Sequence, residues 1–487
     1  VSQTLKPLQV DFYNRLRAAR ASGARIIVAQ AATGFGKNTV AAFMCQQAMQ
    51  KNVPTLFMVH RRRLVDQISE RLREFTVPHG VIMRGKGSNS SHLVQVASRD
   101  TLISRCVNNE WLDMPPAGLL IVDEAHLAAA PKSEYRRIIG HYPAATVLLL
   151  TATPVGPDGA GLGPWAQSIV CAAPTTQLVR EGYLVPVKIF APARKRKGKR
   201  LLKGIAGDLV ESWQQYGEDR PTVLFCARVQ HSLDAVKAYQ EQGITAAHID
   251  ADTPDDERDR IFDDVRAGRI KILSNVGIVG VGFDLPELGT CQFFCNVGSR
   301  VRWIQGMGRV MRTAEGKEYG IGIDHGGNVF DHGFTDEDTE WTLLGNVDAK
   351  WKEKHAAGET EKAYYCKHCE LAYHGQKACP QCGRAPAKPP KSIFEAPPVR
   401  SRNEILTEAE RTADAKTYSR EEKIKTWFAC LGMAAHRNGT FKMASRQYHN
   451  KYGQWPDADF PCLPPWEQRG EKVSDVHPNF GRKKVQS

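Results

Sequence analysis

At 487 residues and 54.1 kDa the chain exceeds what one hydrophobic core usually serves, and its length implies about three domains. Hydrophobic residues at 42% and charged residues at 24% match globular averages, which excludes wholesale disorder and fibrous repeats, and no run approaches the roughly 18 uninterrupted apolar residues of a membrane span. The net charge, 66 − 53 = +13, suits a polyanionic partner but equally plain solubility, and the 12 cysteines, mostly scattered among apolar neighbours, point to a reducing cytoplasm instead of a disulfide framework.

From Ala24 to about Pro186, short apolar runs (RIIVAQ, TLFMVH, LLIVDEAH, TVLLLTATP) alternate with helical periodicity, as in NTVAAFMCQQAMQ. That alternation predicts a doubly wound parallel sheet. Ala31 to Lys37 (AATGFGK) lies between a predicted strand and a predicted helix, where a glycine-containing turn aims backbone N–H groups at phosphate. Gly34 and Gly36 allow the tight backbone, and Lys37 offsets the charge of the β- and γ-phosphates. Asn38 stands where a serine or threonine normally ligates Mg²⁺, and its amide oxygen can serve directly or through water. Further on, Leu119–Val122 runs into Asp123-Glu124-Ala125-His126, two carboxylates at the edge of a sheet where ligands collect. Asp123 is expected to hold Mg²⁺, Glu124 to polarise the attacking water, and His126 to link this site to another lobe. Seen alone, each segment reads as an ordinary turn or an acidic strand end; together they specify a nucleotide-phosphate site.

A basic run, Arg194 to Arg200, separates this lobe from a second one, whose strands are TVLFCA, KILSNVG and YGIGIDHG and whose pattern fades near Gly345. In Gln305-Gly-Met-Gly-Arg309-Val-Met-Arg312 the spacing predicts both arginines on one face of a helix. Cys366-x₂-Cys369 and Cys379-x₂-Cys382, with nine residues between the pairs, predict a four-sulfur zinc ribbon, with an iron–sulfur cluster as the alternative. The expected organisation is a first lobe over 1–185, a basic linker over 186–205, a second lobe over 206–345, a ribbon over 362–386, a linker over 387–402 and a helical tail over 403–487. The tail mixes basic and aromatic residues, suited to phosphate contacts and base stacking or to a small helical core.

Thr33-Gly-Phe-Gly-Lys37, Asp123-Glu-Ala-His126 and Thr151-Ala-Thr-Pro154 together resemble the DEAH-box helicases of helicase superfamily two, over about residues 5 to 345. Ile323-Asp-His-Gly-Gly-Asn328 and the appended cysteines make the likeness greatest to RadD-like and phage-type members. The resemblance implies two tandem RecA-like domains of α/β class. It implies that Gln9 reads adenine and that Thr33, Gly34, Phe35, Gly36, Lys37 and Asn38 bind ATP, with Asp284 in the nucleotide- and strand-sensing segment Asn275 to Pro286. Arg61, Ser98 and Thr101 would contact the nucleic-acid strand, Thr151 and Thr153 would couple the lobes with His126, Gln305 would be catalytic, and Arg309 and Arg312 would reach the γ-phosphate as arginine fingers.

The function so implied is an ATP- and Mg²⁺-dependent DNA helicase or translocase acting on single-stranded or branched DNA. The alternatives are an RNA helicase or remodelling ATPase, a nucleotide-gated DNA clamp with little turnover, and a motor subunit beside a separate nuclease. Single-strand-binding or nuclease proteins are candidate partners, no membrane is expected, and the expected location is the cytoplasm of a bacterium or of a phage-infected host.

Overall fold

Strands β1 (Ile26–Gln30), β2 (Thr55–Val59), β3 (His79–Ile82), β4 (Val94–Ser98), β5 (Leu119–Val122), β6 (Thr146–Thr151) and β7 (Ser168–Cys171) form the first sheet, all parallel, in the spatial order β3-β4-β2-β5-β6-β1-β7. The computed structural model describes residues 4–389, apart from 61, 86–90, 109–112, 130–132, 157–158, 193–200, 278–284, 286, 346, 359 and 361, together with Trp427. Arg61, the basic run 194–200, Asp284 and the tail expected to be helical therefore lie outside the described residues. Both sheets belong to one compact unit, Val1–Val399.

The central strands β1, β2 and β5 are buried from end to end, because helices cover both faces of the sheet. The helix Lys37–Gln50 turns Val40, Ala41, Cys45 and Ala48 into that core, and the helix Pro7–Ala21 adds Phe12 and Leu16. Each such aliphatic or aromatic side chain contributes roughly 1.5–3 kcal/mol on burial. Register then decides the chemistry. β6 pairs with β1 on one side (Gln30 opposite Thr151) and with β5 on the other (Val122 opposite Leu149), so the turn after β1, the Thr151 segment and the acidic pair leave the same sheet edge side by side.

The second sheet contains β8 (Val187–Phe190), β9 (Thr222–Cys226), β10 (Ala246–Ile249), β11 (Ile272–Asn275), β12 (Thr290–Phe294), β13 (Gly320–Asp324), β14 (Tyr364–Tyr365) and β15 (Leu371–Tyr373), in the order β10-β11-β9-β12-β13-β8-β15-β14. Its first six strands are parallel, whereas β15 runs antiparallel to β8 and β14 to β15. The cysteine-bearing hairpin thus extends the second lobe's sheet directly. The turn after β13 is held by the buried Asp324, whose carboxylate accepts from Gly326 N, Asn328 Nδ2 and Val329 N. Burial raises its pKa to about 6, although those donors favour the charged form. Among the described residues no helix is long and apolar enough to cross a membrane.

Candidate active site between the lobes

The turn after β1 needs both of its glycines. Gly34 and Gly36 have φ of +92° and +93°, and a Cβ on Gly36 would stand 2.5 Å from Gln9 Nε2. Gly36 caps the helix that begins at Lys37, and the Lys37 ammonium donates to Ala31 O at 3.2 Å, across the hollow of the turn. Gln9 is buried, donating to Phe35 O at 2.9 Å and accepting from Lys6 N at 3.0 Å. Phe35 is buried too, edge-on to Phe12, so it shapes the turn by packing.

Asp123 and Glu124 follow β5 as expected. Glu124 adopts φ +50°, a left-handed backbone that only the surrounding structure makes tolerable, and it opens the short 3₁₀ turn Ala125–Ala128. Its amide donates to Asp123 Oδ1 at 2.9 Å. Burial, then the neighbouring Glu124 charge, pushes the Asp123 pKa up, while Lys37 opposes the shift. For Glu124 burial acts upward as well, but the hydrogen bond and charge of His126, with Lys37 and Arg309, bring its pKa below the usual carboxylate value. The two neighbouring carboxylates are therefore pushed in opposite directions, Asp123 up and Glu124 down.

A chain of polar contacts leads from this pair to the other lobe. His126 Nδ1 lies 3.4 Å from Glu124 Oε2 and 3.4 Å from Thr151 Oγ1. Thr151 Oγ1 donates to Thr153 O at 3.0 Å and accepts from Thr153 N at 3.1 Å, and Gln305 Nε2 donates to Thr153 Oγ1 at 2.6 Å. Gln305 belongs to the second-lobe helix Arg300–Met307.

Arg309 and Arg312 do not share the expected helix. That helix stops at Met307, Gly308 closes its last turn with a bond to Ile304 O, and Arg312 is drawn instead into an antiparallel pairing with Leu184. Both guanidiniums nevertheless act electrostatically on Lys37, lowering its pKa after the larger effect of burial, against Glu124 and Asp123, which raise it. A Cβ on Gly308 would come within 3.2 Å of Thr33 Cβ, so the arginine segment packs directly on the phosphate turn. Lys37, Asp123, Glu124, Arg309 and Arg312, drawn from both lobes, are thus close enough to act on one another electrostatically.

Ser98 and Thr101 are both buried. Ser98 caps the short helix Arg99–Leu102, accepting from Thr101 N and donating to Thr101 Oγ1 at 2.7 Å, and Arg84 N donates to Thr101 Oγ1. As they stand the two hydroxyls bond each other and secure the start of that helix. Tyr183 was not foreseen: its hydroxyl accepts from Leu8 N at 3.1 Å and its ring stacks on Phe35, and no local motif marks it.

Two groups of side chains are candidates to hold a metal ion. Asn38 Oδ1 is buried with no hydrogen-bond partner, beside the lysine turn, so a ligand-type oxygen is left over at the position where Mg²⁺ is expected. The four sulfurs of Cys366, Cys369, Cys379 and Cys382 all lie within 4.8 Å of one another, with Sγ–Sγ separations of 3.4, 3.5 and 3.8 Å. A tetrahedral zinc with Zn–S bonds of about 2.3 Å requires sulfurs about 3.8 Å apart, so the set fits. His374 is no member of it; its Nε2 lies 3.4 Å from Asp336 Oδ2.

Two family models match the chain, "Type III restriction enzyme, res subunit" over residues 2–156 and "Helicase conserved C-terminal domain" over residues 205–314. Together with the relatives below, these domains support a superfamily-two helicase. A 51.5 kDa protein of a Lactococcus phage (isolate 7-9) is 29% identical over 371 residues, covering 73% of this chain and 77% of that one. The irc3 protein of Schizosaccharomyces pombe, provisionally named a mitochondrial ATP-dependent helicase, is 27% identical over 342 residues, covering 64% of this chain and 56% of its own length. The chain thus spans little more than half of that helicase. Among solved structures, an ATP-dependent Type ISP restriction-modification enzyme, LlaBIII, bound to DNA, is similar with a TM-score of 0.50 at 16% identity, over 73% of this chain and 30% of that one. That likeness shows the fold, two RecA-like parallel-sheet domains. Helicase domains and an ATP-dependent helicase relative support an ATP-hydrolysing enzyme.

Proposed function

We propose that the chain is an ATP- and Mg²⁺-dependent DNA helicase or translocase of the DEAH-box, RadD-like type, with a zinc ribbon built onto its second lobe. The observation that carries this reading is the contact path from Glu124 through His126, Thr151 and Thr153 to Gln305, which joins a hydrolytic carboxylate on one lobe to the arginine-bearing segment of the other. A motor needs such a path, because hydrolysis at the first lobe has to alter how the second is held.

In this reading Asp123 and Asn38 hold Mg²⁺, which would offset phosphate charge. Lys37 meets the β- and γ-phosphates, Glu124 accepts the proton of the attacking water, and Arg309 and Arg312 stabilise the charge that develops on the transferred phosphoryl group. Gln9 bonds Phe35 O and Lys6 N and keeps the adenine-reading role that the resemblance gives it, for which its amide would have to exchange one of those bonds. Ser98 and Thr101 reach a strand only if they exchange their mutual bond for phosphate, and Arg61 and Asp284 keep the roles the resemblance gives them. Zinc bound by the four cysteines would close the hairpin.

The net charge of +13 supports a polyanionic substrate bound through its backbone, with strong salt dependence. The decisive experiment is phosphate release from ATP with single-stranded, duplex and branched DNA beside matched RNA. Stimulation by DNA above RNA supports the reading; equal or greater stimulation by RNA replaces it with an RNA-remodelling ATPase, and no stimulation by either refutes both.

A further inference from the structure

Residues Tyr183 to Val185 form a strap between the helix Thr175–Arg180 and β8, and it touches the helix Pro7–Ala21, the lysine turn and the arginine segment. The Tyr183 hydroxyl accepts from Leu8 N at 3.1 Å, in the first turn of the helix Pro7–Ala21. Its ring lies parallel to that of Phe35, 18° between planes at a centroid distance of 6.1 Å, and the Lys6 ammonium stands 5.2 Å from its centroid. Leu184 pairs antiparallel with Arg312 and presses on the phosphate turn, where a Cβ on Gly34 would approach Leu184 Cδ2 to 2.7 Å. Val185 N donates to Met311 O at 2.8 Å. All three residues are buried.

The strap has little freedom of its own. Tyr183 N and Leu184 N both donate to Leu178 O, at 2.8 and 3.1 Å, which anchors it to the end of the preceding helix. Because Arg312 lies beyond the end of its helix, its backbone takes its position from the pairing with Leu184. The approach of Arg312 to the lysine turn is therefore tied to the strap, which the Tyr183 hydroxyl fastens to the helix Pro7–Ala21 in addition to its anchor at Leu178 O.

We propose that Tyr183 is a positioning residue for Arg312: its hydroxyl ties the strap to the first turn of the helix Pro7–Ala21, and the strap holds the arginine against the phosphate turn. The proposal rests on the reading of Arg312 as a group that stabilises the transferred phosphoryl. Tyr183→Phe removes the hydroxyl and keeps the ring stacked, so it loosens the strap without emptying the core.

The test is steady-state ATP hydrolysis at saturating single-stranded DNA by the wild type, Tyr183→Phe, Arg312→Ala and the double variant, with thermal midpoints measured alongside. Loss of one hydrogen bond of ordinary strength lowers kcat about fivefold in Tyr183→Phe with KM for ATP changed less than about twofold. In the Arg312→Ala background the same change costs nothing further, because the group it positions is gone. Losses that multiply in the double variant, or a KM effect with kcat intact, overturn the proposal. An Arg312→Ala enzyme that turns over like the wild type overturns the functional reading of that arginine and this proposal with it.

Discussion

Gln305 on the second lobe donates to Thr153 Oγ1 on the first at 2.6 Å, and Thr153 is fully buried at the contact. The bond is the last link of a path that begins at Glu124, so the side chain that would activate water and the helix leading to the arginines are mechanically joined. Removing a partner in a buried polar contact leaves the other group unsatisfied, which costs more than the bond itself is worth.

Gln305→Ala and Thr153→Val each lower the ratio of DNA-stimulated to unstimulated ATP hydrolysis, by about tenfold for a coupling free energy near 1.4 kcal/mol. Phosphate release with and without single-stranded DNA measures that ratio, and a ratio equal to the wild type's contradicts the coupling path.

Lys37→Ala and Glu124→Gln reduce kcat by at least about a hundredfold, since each removes a charge used while the phosphoryl group moves. A variant that hydrolyses ATP at the wild-type rate removes that residue from the mechanism.

Gly36→Ala is predicted to impair nucleotide binding as well as stability. Its backbone lies at φ +93° and the new methyl would meet Gln9 Nε2 at 2.5 Å, so the turn must open or Gln9 must move. The conformational part alone costs about 1–2 kcal/mol. Calorimetric titration with a non-hydrolysable ATP analogue should show affinity falling by about tenfold or more, and wild-type affinity would mean that the turn is not the phosphate site.

Burial, then the positive charges of Arg300 and Lys352, holds the pKa of His332 down at about 4. The unfolded chain, with an ordinary histidine pKa near 6.5, takes up a proton that the folded state refuses. This contribution to stability is complete above pH about 6.5 and is lost as the pH falls toward about 4, on the order of 3 kcal/mol in all. Urea midpoints across that interval should fall more steeply for the wild type than for His332→Gln; parallel curves would show that the ring titrates normally.

The four cysteines are predicted to bind about one zinc per chain. Chelation, or Cys369→Ser, releases the metal and lowers the thermal midpoint of the second lobe, as measured by metal analysis and calorimetry. A purified chain that contains iron with sulfide instead would change the identity of the site.

Much of this was legible in the sequence because the decisive signals are local. Uninterrupted apolar runs gave β1, β2, β5 and β6 directly, and Gly34, Gly36, Lys37, Asp123 and Glu124 declared themselves by their placement after two of them. β3 and β10, with His79, Gly80 and His248 inside four-residue strands, carry too little apolar pattern to be separated from loops. The helix before Arg309 ends at Met307, in a segment that carries Gly306 and Gly308, and Leu184, from another part of the chain, then pairs with Arg312. Ser98 and Thr101 are expected as strand contacts; the same Ser-x-x-Thr spacing also serves a helix cap, and in the structure their hydroxyls bond each other. Tyr183 and the attachment of the cysteine hairpin to β8 depend on contacts far apart in sequence, which no local pattern encodes.

That attachment makes the hairpin the cover of one border of the second lobe's sheet. β8 borders open space wherever the hairpin is missing, and a bare strand border is a template for another molecule's backbone. Were the hairpin to come away from β8, a sticky seam along Val187–Phe190 would be uncovered, and otherwise well-folded chains would clump.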